Sequence, residues 1–397
     1  MAETAREAWI TGIGIVSCLG EGPDAHWQAL NAGAPSPIAP AFDPYIVHPI
    51  APLDLDKQIP KKGDQRQMEA WQRIGTYAAG LALDSAGVKG NADLLTRMDM
   101  IVAAGGGERD IAVDAAILNG LPKAPKPAAF LNERLMSDLR PTLFLAQLSN
   151  LLAGNISIVH GVTGSSRTFM GEESAGVDAV RIALSRVAAG QSEIGLVGGA
   201  FNAERKDMLL LMDAGGFLLR GGHAPVWQRA AKGGGMALGS LGAFLVVESK
   251  DHAQKRGATP LARLTAVLSD RSRRPAGAIS ASLARMWQRI APNLRPGSHA
   301  VISGTTGAEP AIAEERAFLE SVGVPVRATG THIGHGFEPQ FVMNIALATL
   351  ALKHQMLFPP ADTSGIEQPM QGTPAQVIVT SVGHWRGEGI ALVEAVR

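Results

Sequence analysis

The sequence predicts an α/β protein with largely parallel, buried sheets, and three observations carry that prediction. Short β-branched runs alternate with longer Ala/Leu-rich segments along the chain. The alternation runs twice, once to about Val247 and again from about Leu261 to Arg397. Apolar residues make up 46% of the 397 and charged residues 18%, fewer charges than the roughly 25% of an average soluble chain. Strands are expected at Ala8–Ile15, Met100–Ala104, Ser166–Phe169, Glu193–Val197, Gly242–Val247, Ala300–Ser303, Val377–Ser381 and Ile390–Glu394, short runs of strand length, most of them apolar. Helices are expected at Met68–Ala86, Glu172–Ala189, Ala276–Ile290, Ala308–Val322 and Gln340–His354. In the second of these, Val177, Val180, Ile182, Leu184 and Val187 give a broad apolar face, with Arg181 and Arg186 pointing elsewhere. The doubled order divides the chain into halves at 1–248 and 249–397. The Pro/Gly-rich stretches Gly33–Pro60 and Leu121–Pro127 read as surface excursions.

Composition narrows the function classes. Lys plus Arg and Asp plus Glu are 36 each, so no net charge draws the chain to nucleic acid or an anionic membrane. The longest apolar runs, such as Ile345–Leu352, fall far short of the ~20 residues of a membrane span. The mixed-charge start leads straight into a strand and does not read as a signal peptide, so a cytoplasmic location is expected. The single cysteine, Cys18, excludes an internal disulfide and a cysteine-based zinc site, and it reads as a small packed residue. Gly12-Ile13-Gly14 lacks the third glycine of a dinucleotide fingerprint, and Gly105-Gly106-Gly107 lacks the Gly-Lys-Ser/Thr of a phosphate loop. Both read as tight turns. His332 and His335 lie in a Gly-rich loop with only Glu338 nearby, too few donors for a metal site. No cofactor and no metal are expected.

The order of these segments resembles the β-ketoacyl-acyl-carrier-protein synthases. Thr11–Gly20 (TGIGIVSCLG) is similar to that family's opening strand, and Gly235–Glu248 (GMALGSLGAFLVVE) to its G-F-V-M-G-E-G-A-G-V-L-V-L-E stretch. His252–Ala258 (HAQKRGA) resembles the A-x-A-R-G-A that follows, and Glu193–Ala200 the L-x-G-G-A strand. The resemblance covers nearly the whole chain. It implies a thiolase-like fold, two pseudo-repeated halves in five layers, α-β-α-β-α.

It also implies an active site, from which this sequence departs. Condensing enzymes of the family acylate a thiolate at a helix N-terminus, and two histidines stabilise charge on the malonyl thioester. Aligned without gaps, the family's cysteine falls on Met170, whose thioether carries no acyl group. Ser303 stands for the first histidine and Gly330 for the lysine, while His335 survives. Glu314 is retained twelve residues into the first-histidine pattern. The gate loop G-F-G-G-T-N reads Gly383-His384-Trp385-Arg386-Gly387-Glu388, so Trp385 and Arg386 put bulk where two glycines are usual. With Phe169, they are expected to line the tunnel and gate. Glu172 and Glu173, suited to the helix N-terminal dipole, and His384 are the remaining candidates for a replacement role.

The resemblance suggests a chain-length-factor-like subunit without condensing chemistry. Such subunits pair with an active ketosynthase, and the family dimerises through a segment matching roughly Asn150 to His160 here. Acyl carrier protein and a ketosynthase, or a second copy of the chain, are the expected partners. The alternative is a divergent acyltransferase or 3-oxoacyl-carrier-protein synthase using His335 with a serine or glutamate. A third reading is a homodimer that binds carrier protein through Arg181, Arg186, Arg205 or Lys206.

Overall fold

The computed structural model describes residues 5–396. Ten strands form the body of an 11-stranded sheet. In the first half they are β1 (Ala8–Ser17), β2 (Asp99–Ala103), β3 (Ser166–Phe169), β4 (Ile194–Phe201) and β5 (Leu241–Ser249). In the second they are β6 (Ala262–Asp270), β7 (His299–Ser303), β8 (Val326–Ala328), β9 (Gln376–Val382) and β10 (Glu388–Glu394). From edge to middle the first half runs β3-β2-β4-β5-β1 and the second β8-β7-β9-β10-β6. Strand for strand this is the same order, with the same parallel and antiparallel pairings. Strand pairing between the two half-sheets, among the described residues, runs through Trp9 and Ile10 of β1 with Arg263 and Ala262 of β6.

Three separate cores define the layers. One outer core packs α1 (Ala70–Ser85) and α2 (Leu151–His160) on the first half-sheet. The other packs α5 (Ala278–Ile290) and α6 (Ala311–Val322) on the second. The central core holds α3 (Glu172–Ala188) and α7 (Gln340–Lys353) between the half-sheets. An additional helix, α4 (Lys206–Ala214), lies beside a smaller cluster. This is the five-layer arrangement that the resemblance implies. The α7 helix is buried from Gln340 to Leu352, as a helix covered on both sides must be.

The sheets are mixed rather than largely parallel. Each half has two parallel and two antiparallel pairs. Only the turn 383–387 joins β9 to β10, too little chain for the crossover a parallel pair requires. Glycines in β1 bring the outer helix close. A Cβ on Gly14 would lie 2.0 Å from the Ala78 carbonyl oxygen, and one on Gly12 2.5 Å from that of Ala82. Gly12 and Gly14 therefore permit strand–helix packing. The Gly33–Pro60 excursion contributes Val47–His48, which pairs with Leu238–Gly239.

Candidate functional site

The site forms where β3 turns into α3. Gly171 (φ +109) and Glu172 (φ +41) adopt left-handed backbone there, although Glu172 carries a side chain. The turn leaves Met170 outside the protein, 70% exposed, and places Glu173 in the first helical turn at 2% exposure. Glu173 accepts a hydrogen bond from His335 Nε2 at 2.7 Å and one from the His384 amide at 3.2 Å. The ungapped alignment sets Met170 at the family's cysteine position, whereas the side chain bonded to His335 is that of Glu173. Burial is the largest influence on the Glu173 carboxyl and pushes its pKa up. His335, by hydrogen bond and charge, and the amides of Glu173 and His384 outweigh it and hold the group below its ordinary value.

Gly334 and Glu173 bring the surviving histidine into place from opposite sides. His335 sits after the short helix 330–333, and its amide bonds the Ala237 carbonyl. A Cβ on Gly334 would lie 2.8 Å from the Leu238 carbonyl, so the chain passes backbone against backbone. The ring packs edge-on to Phe337 at 4.8 Å.

Polar groups of another kind fill the two other family positions. Ser303 is buried at the end of β7 and donates to Glu315 Oε1 at 2.8 Å, as Thr380 does at 2.6 Å. Burial raises the Glu315 pKa despite these bonds. The glutamate facing Ser303 is therefore Glu315; Glu314 instead accepts from the amides of Gly277, Ile279 and Ser280 at the start of α5. Gly330 lies against the Thr305 carbonyl, which a Cβ would approach to 3.1 Å. Its own carbonyl accepts from Arg229 Nη2 at 2.9 Å. That fully buried guanidinium has its pKa lowered to about 9 by desolvation.

The loop 383–387 closes over the His335–Glu173 pair. The Gly383 amide bonds the Gly387 carbonyl at 2.8 Å. The buried His384 ring packs against Phe217 at 4.0 Å and Trp385 at 5.0 Å. Burial lowers the His384 pKa, against the raising influence of Glu173. Arg274, reaching in from the end of β6, holds the loop in place. It donates to the carbonyls of Gly383, Trp385 and Gly387 and to the carboxylate of Glu388. From outside, Arg386 bonds Glu172 at 3.4 Å.

A cavity of about 420 Å³ opens beside this closed pair. Of the expected tunnel and gate residues it brings together Trp385 and Arg386, with Met170 and Glu172, but not Phe169. Phe169 packs instead on the central core. Met208, Leu211, Met212, Phe337 and Glu338 complete much of the wall. The α4 residues were not singled out in the sequence, although their apolar run Met208–Met212 is visible there.

Other candidates are structural. Cys18 is buried, donates to the His332 carbonyl at 3.4 Å, and has its pKa pushed up to about 12, chiefly by burial. Arg181 pairs with Asp178 and Arg186 with Asp99. Arg205 is buried on the Gly106 and Gly107 carbonyls and on Asp207, leaving Lys206 alone exposed among those four cations. Among the described residues, no helix is long and apolar enough to cross a membrane.

Comparison with known proteins agrees with this architecture. The model of the β-ketoacyl synthase N-terminal domain matches residues 5–253. The 3-oxoacyl-[acyl-carrier-protein] synthase 2 of Vibrio harveyi is 24% identical over 270 residues, which are 65% of this chain and 61% of that protein. The chain thus spans about three fifths of that relative's length. The tetracenomycin polyketide synthase ketoacyl synthase beta subunit of Streptomyces glaucescens is 27% identical over 382 residues, 91% of this chain and 89% of that subunit. Among solved structures, the ishigamide ketosynthase/chain length factor superposes with a TM-score of 0.80 at 18% identity, covering 99% of this chain and 100% of that one. A β-ketoacyl synthase from Burkholderia phymatum gives 0.79 at 18%, with the same coverage.

Proposed function

The chain belongs to the β-ketoacyl synthase family, and on that premise we propose that it is a non-condensing, chain-length-factor-like subunit. It pairs with a cysteine-bearing ketosynthase and shapes the chamber that receives the growing acyl chain.

The bond between Glu173 and His335 carries this reading. In the proposed site Glu173 occupies the place of the thiolate, at a helix N-terminus opposite the surviving histidine. A carboxylate there engages His335 permanently and holds no acyl thioester. The only thiol, Cys18, is buried in another segment and protonated at neutral pH. Ser303 and Gly330 supply neither an imidazole nor an ammonium at the other two family positions.

An unpaired edge supports a partner. Among the described residues strand β3 pairs only with β2, so its outer edge carries no strand partner. Ile158, on the helix packed beside that strand, and Met170, which follows it, are each at least 70% exposed, as apolar side chains at an interface are. The Streptomyces relative named as a ketoacyl synthase beta subunit spans most of the chain, which favours a ketosynthase over a second copy. The acidic carrier protein reaches such a pair with its acyl chain.

The test is purification of the full chain alone and with a cysteine-bearing ketosynthase. The chain alone should release no condensation product from malonyl carrier protein, and co-expression should give a stable heterodimer. Condensation by the isolated chain at a ketosynthase-like rate overturns the reading. The acyltransferase alternative draws on the same His335–Glu173 bond, but neither residue lines the open cavity. An acyl adduct in the intact mass that disappears in His335→Ala would favour that alternative.

A further inference from the structure

The cavity beside the closed pair contains a carboxyl that, among the described residues, no other residue hydrogen-bonds. Glu338, in the turn before α7, is 6% exposed and lines the cavity. Two glycines make room for it. A Cβ on Gly105 would come within 2.6 Å of Glu338 Oε1, and one on Gly176 within 2.3 Å of its carbonyl oxygen. Among the described residues, the only hydrogen-bond donor acting on its carboxyl is its own backbone amide. The nearby cations are already committed, Arg205 to two carbonyls and Asp207 and Arg386 to Glu172.

Burial first, then the charges of Glu173 and Glu172, push the Glu338 pKa up to about 7 against the opposing pull of Arg205. Near neutrality the group therefore offers both a donor and an acceptor. The walls around it are apolar, chiefly Met170, Met208, Leu211, Met212 and Phe337, and the volume falls within the ~300–1,000 Å³ of small-molecule sites. A pure hydrocarbon filling this space would strip water from the carboxyl and return no hydrogen bond.

We propose that the chain lodged in this cavity carries a hydroxyl or keto oxygen near its end, and that Glu338 recognises it. The hydroxyl donates to the carboxylate, and the protonated acid donates to a keto oxygen. Glu338 is then a specificity residue that favours oxygenated chains over saturated ones. The inference rests on the cavity receiving an acyl chain.

The test is calorimetric titration of the full-length protein with three N-acetylcysteamine thioesters: decanoyl, 10-hydroxydecanoyl and 10-aminodecanoyl. The hydroxylated probe should bind about tenfold more tightly than the decanoyl probe, the scale expected when a buried polar group gains or loses its partner. Glu338→Leu should abolish or reverse that preference, and Glu338→Gln should retain part of it. Equal or tighter binding of the decanoyl probe overturns the proposal, as does a preference that survives in Glu338→Leu. Tightest binding of the amine assigns Glu338 to a cation and overturns it too, and so does failure of all three to bind. The wild-type ratio decides even if a variant does not fold. Heterodimer formation is read separately by co-purification, so pairing without hydroxyl preference overturns this proposal and leaves the subunit reading standing.

Discussion

Replacing Arg274 by alanine should release the loop that closes over His335 and Glu173. Arg274 is 17% exposed and the carboxylate it meets, Glu388, is 0% exposed. Its loss leaves Glu388 with donors from the Ser272 amide and hydroxyl at 3.0 and 2.9 Å and from Ser282 at 3.3 Å, but without that counter-charge. Removing one member of a buried pair costs about 3–5 kcal/mol, and the remaining donors favour the lower end. Arg274 also holds left-handed backbone at φ +63. Arg274→Gly should therefore be about 1 kcal/mol less damaging than Arg274→Ala, because glycine relieves that strain. Over 397 residues an unfolding entropy of about 2.1 cal/mol/K per residue converts 3 kcal/mol into a Tm loss of about 4 °C. Calorimetry reads the Tm, and hydrogen exchange of the 383–387 amides reads the loop. Arg274→Met with Glu388→Gln should recover part of the loss, since the unpaired charge goes with its partner. A change below 0.5 kcal/mol, as for an ordinary surface arginine, or additive single and double variants, would refute the idea that Arg274 staples the loop.

The other predictions concern titration and thiols. His335→Ala should destabilise the protein by about 3 kcal/mol at pH 7, because Glu173 loses its main partner. The wild-type pair lowers the Glu173 pKa, so its contribution is present above the ordinary pKa of 4.5 and fades as pH falls through the lowered one. The gap between variant and wild type in urea unfolding should therefore narrow with acid. His26, His48, His160 and His332 are held to about 4 by burial, from an ordinary 6.5. The unfolded chain takes up these protons first, so stability is lost as pH drops from 6.5 towards 4, about 1.4 kcal/mol per histidine by pH 5.5. A urea midpoint that does not move between pH 7.5 and 5.5 would count against their burial. Cys18 should resist iodoacetamide in the native protein and react in urea, while an added thiol at Met170→Cys should label at once and one at Glu173→Cys slowly. Equal native labelling at positions 170 and 173 would overturn the assignment of inward and outward faces.

Most of the fold was legible because its signals are local. Five expected helices coincide with α1, α3, α5, α6 and α7 to within three residues at either end, since the first four carry an apolar face of helical period and α7 is a long apolar run buried all round. Strand β8 was missed because Val326–Ala328 offers too few residues for a period, and β6 because polar residues interrupt its apolar run. Strand direction is set by connections rather than by composition, which is why the sheets were expected to be more parallel than they are. In the site, His335, Gly330 and Ser303 were found by motif, but the residue set opposite His335 was placed three residues early, at Met170 rather than Glu173. The correcting signal was present in the spacing. Glu173, Val177 and Val180 share a buried face at i, i+4 and i+7, whereas Met170 precedes the helix.

That shift of three residues changes the chemical argument. A methionine facing His335 would be only the loss of a thiol, a gap where a reactive group had been. A buried glutamate there is a different construction, because an unpaired carboxylate in the core would carry a large desolvation cost. It needs an imidazole, and His335 supplies it, which gives His335 a structural role. Ser303 follows the same logic with Glu315 and Thr380, and Gly330 with Arg229. Each altered position is tied to a new polar partner, so returning a thiol at 173 alone would free His335 without supplying the second imidazole or the lysine. Glu338 stands apart as a buried carboxyl whose hydrogen-bond partner, among the described residues, is its own amide alone. Glu173, Ser303 and Gly330 are thus bonded within the protein, whereas the Glu338 carboxyl, without a side-chain hydrogen-bond partner among the described residues, faces the cavity.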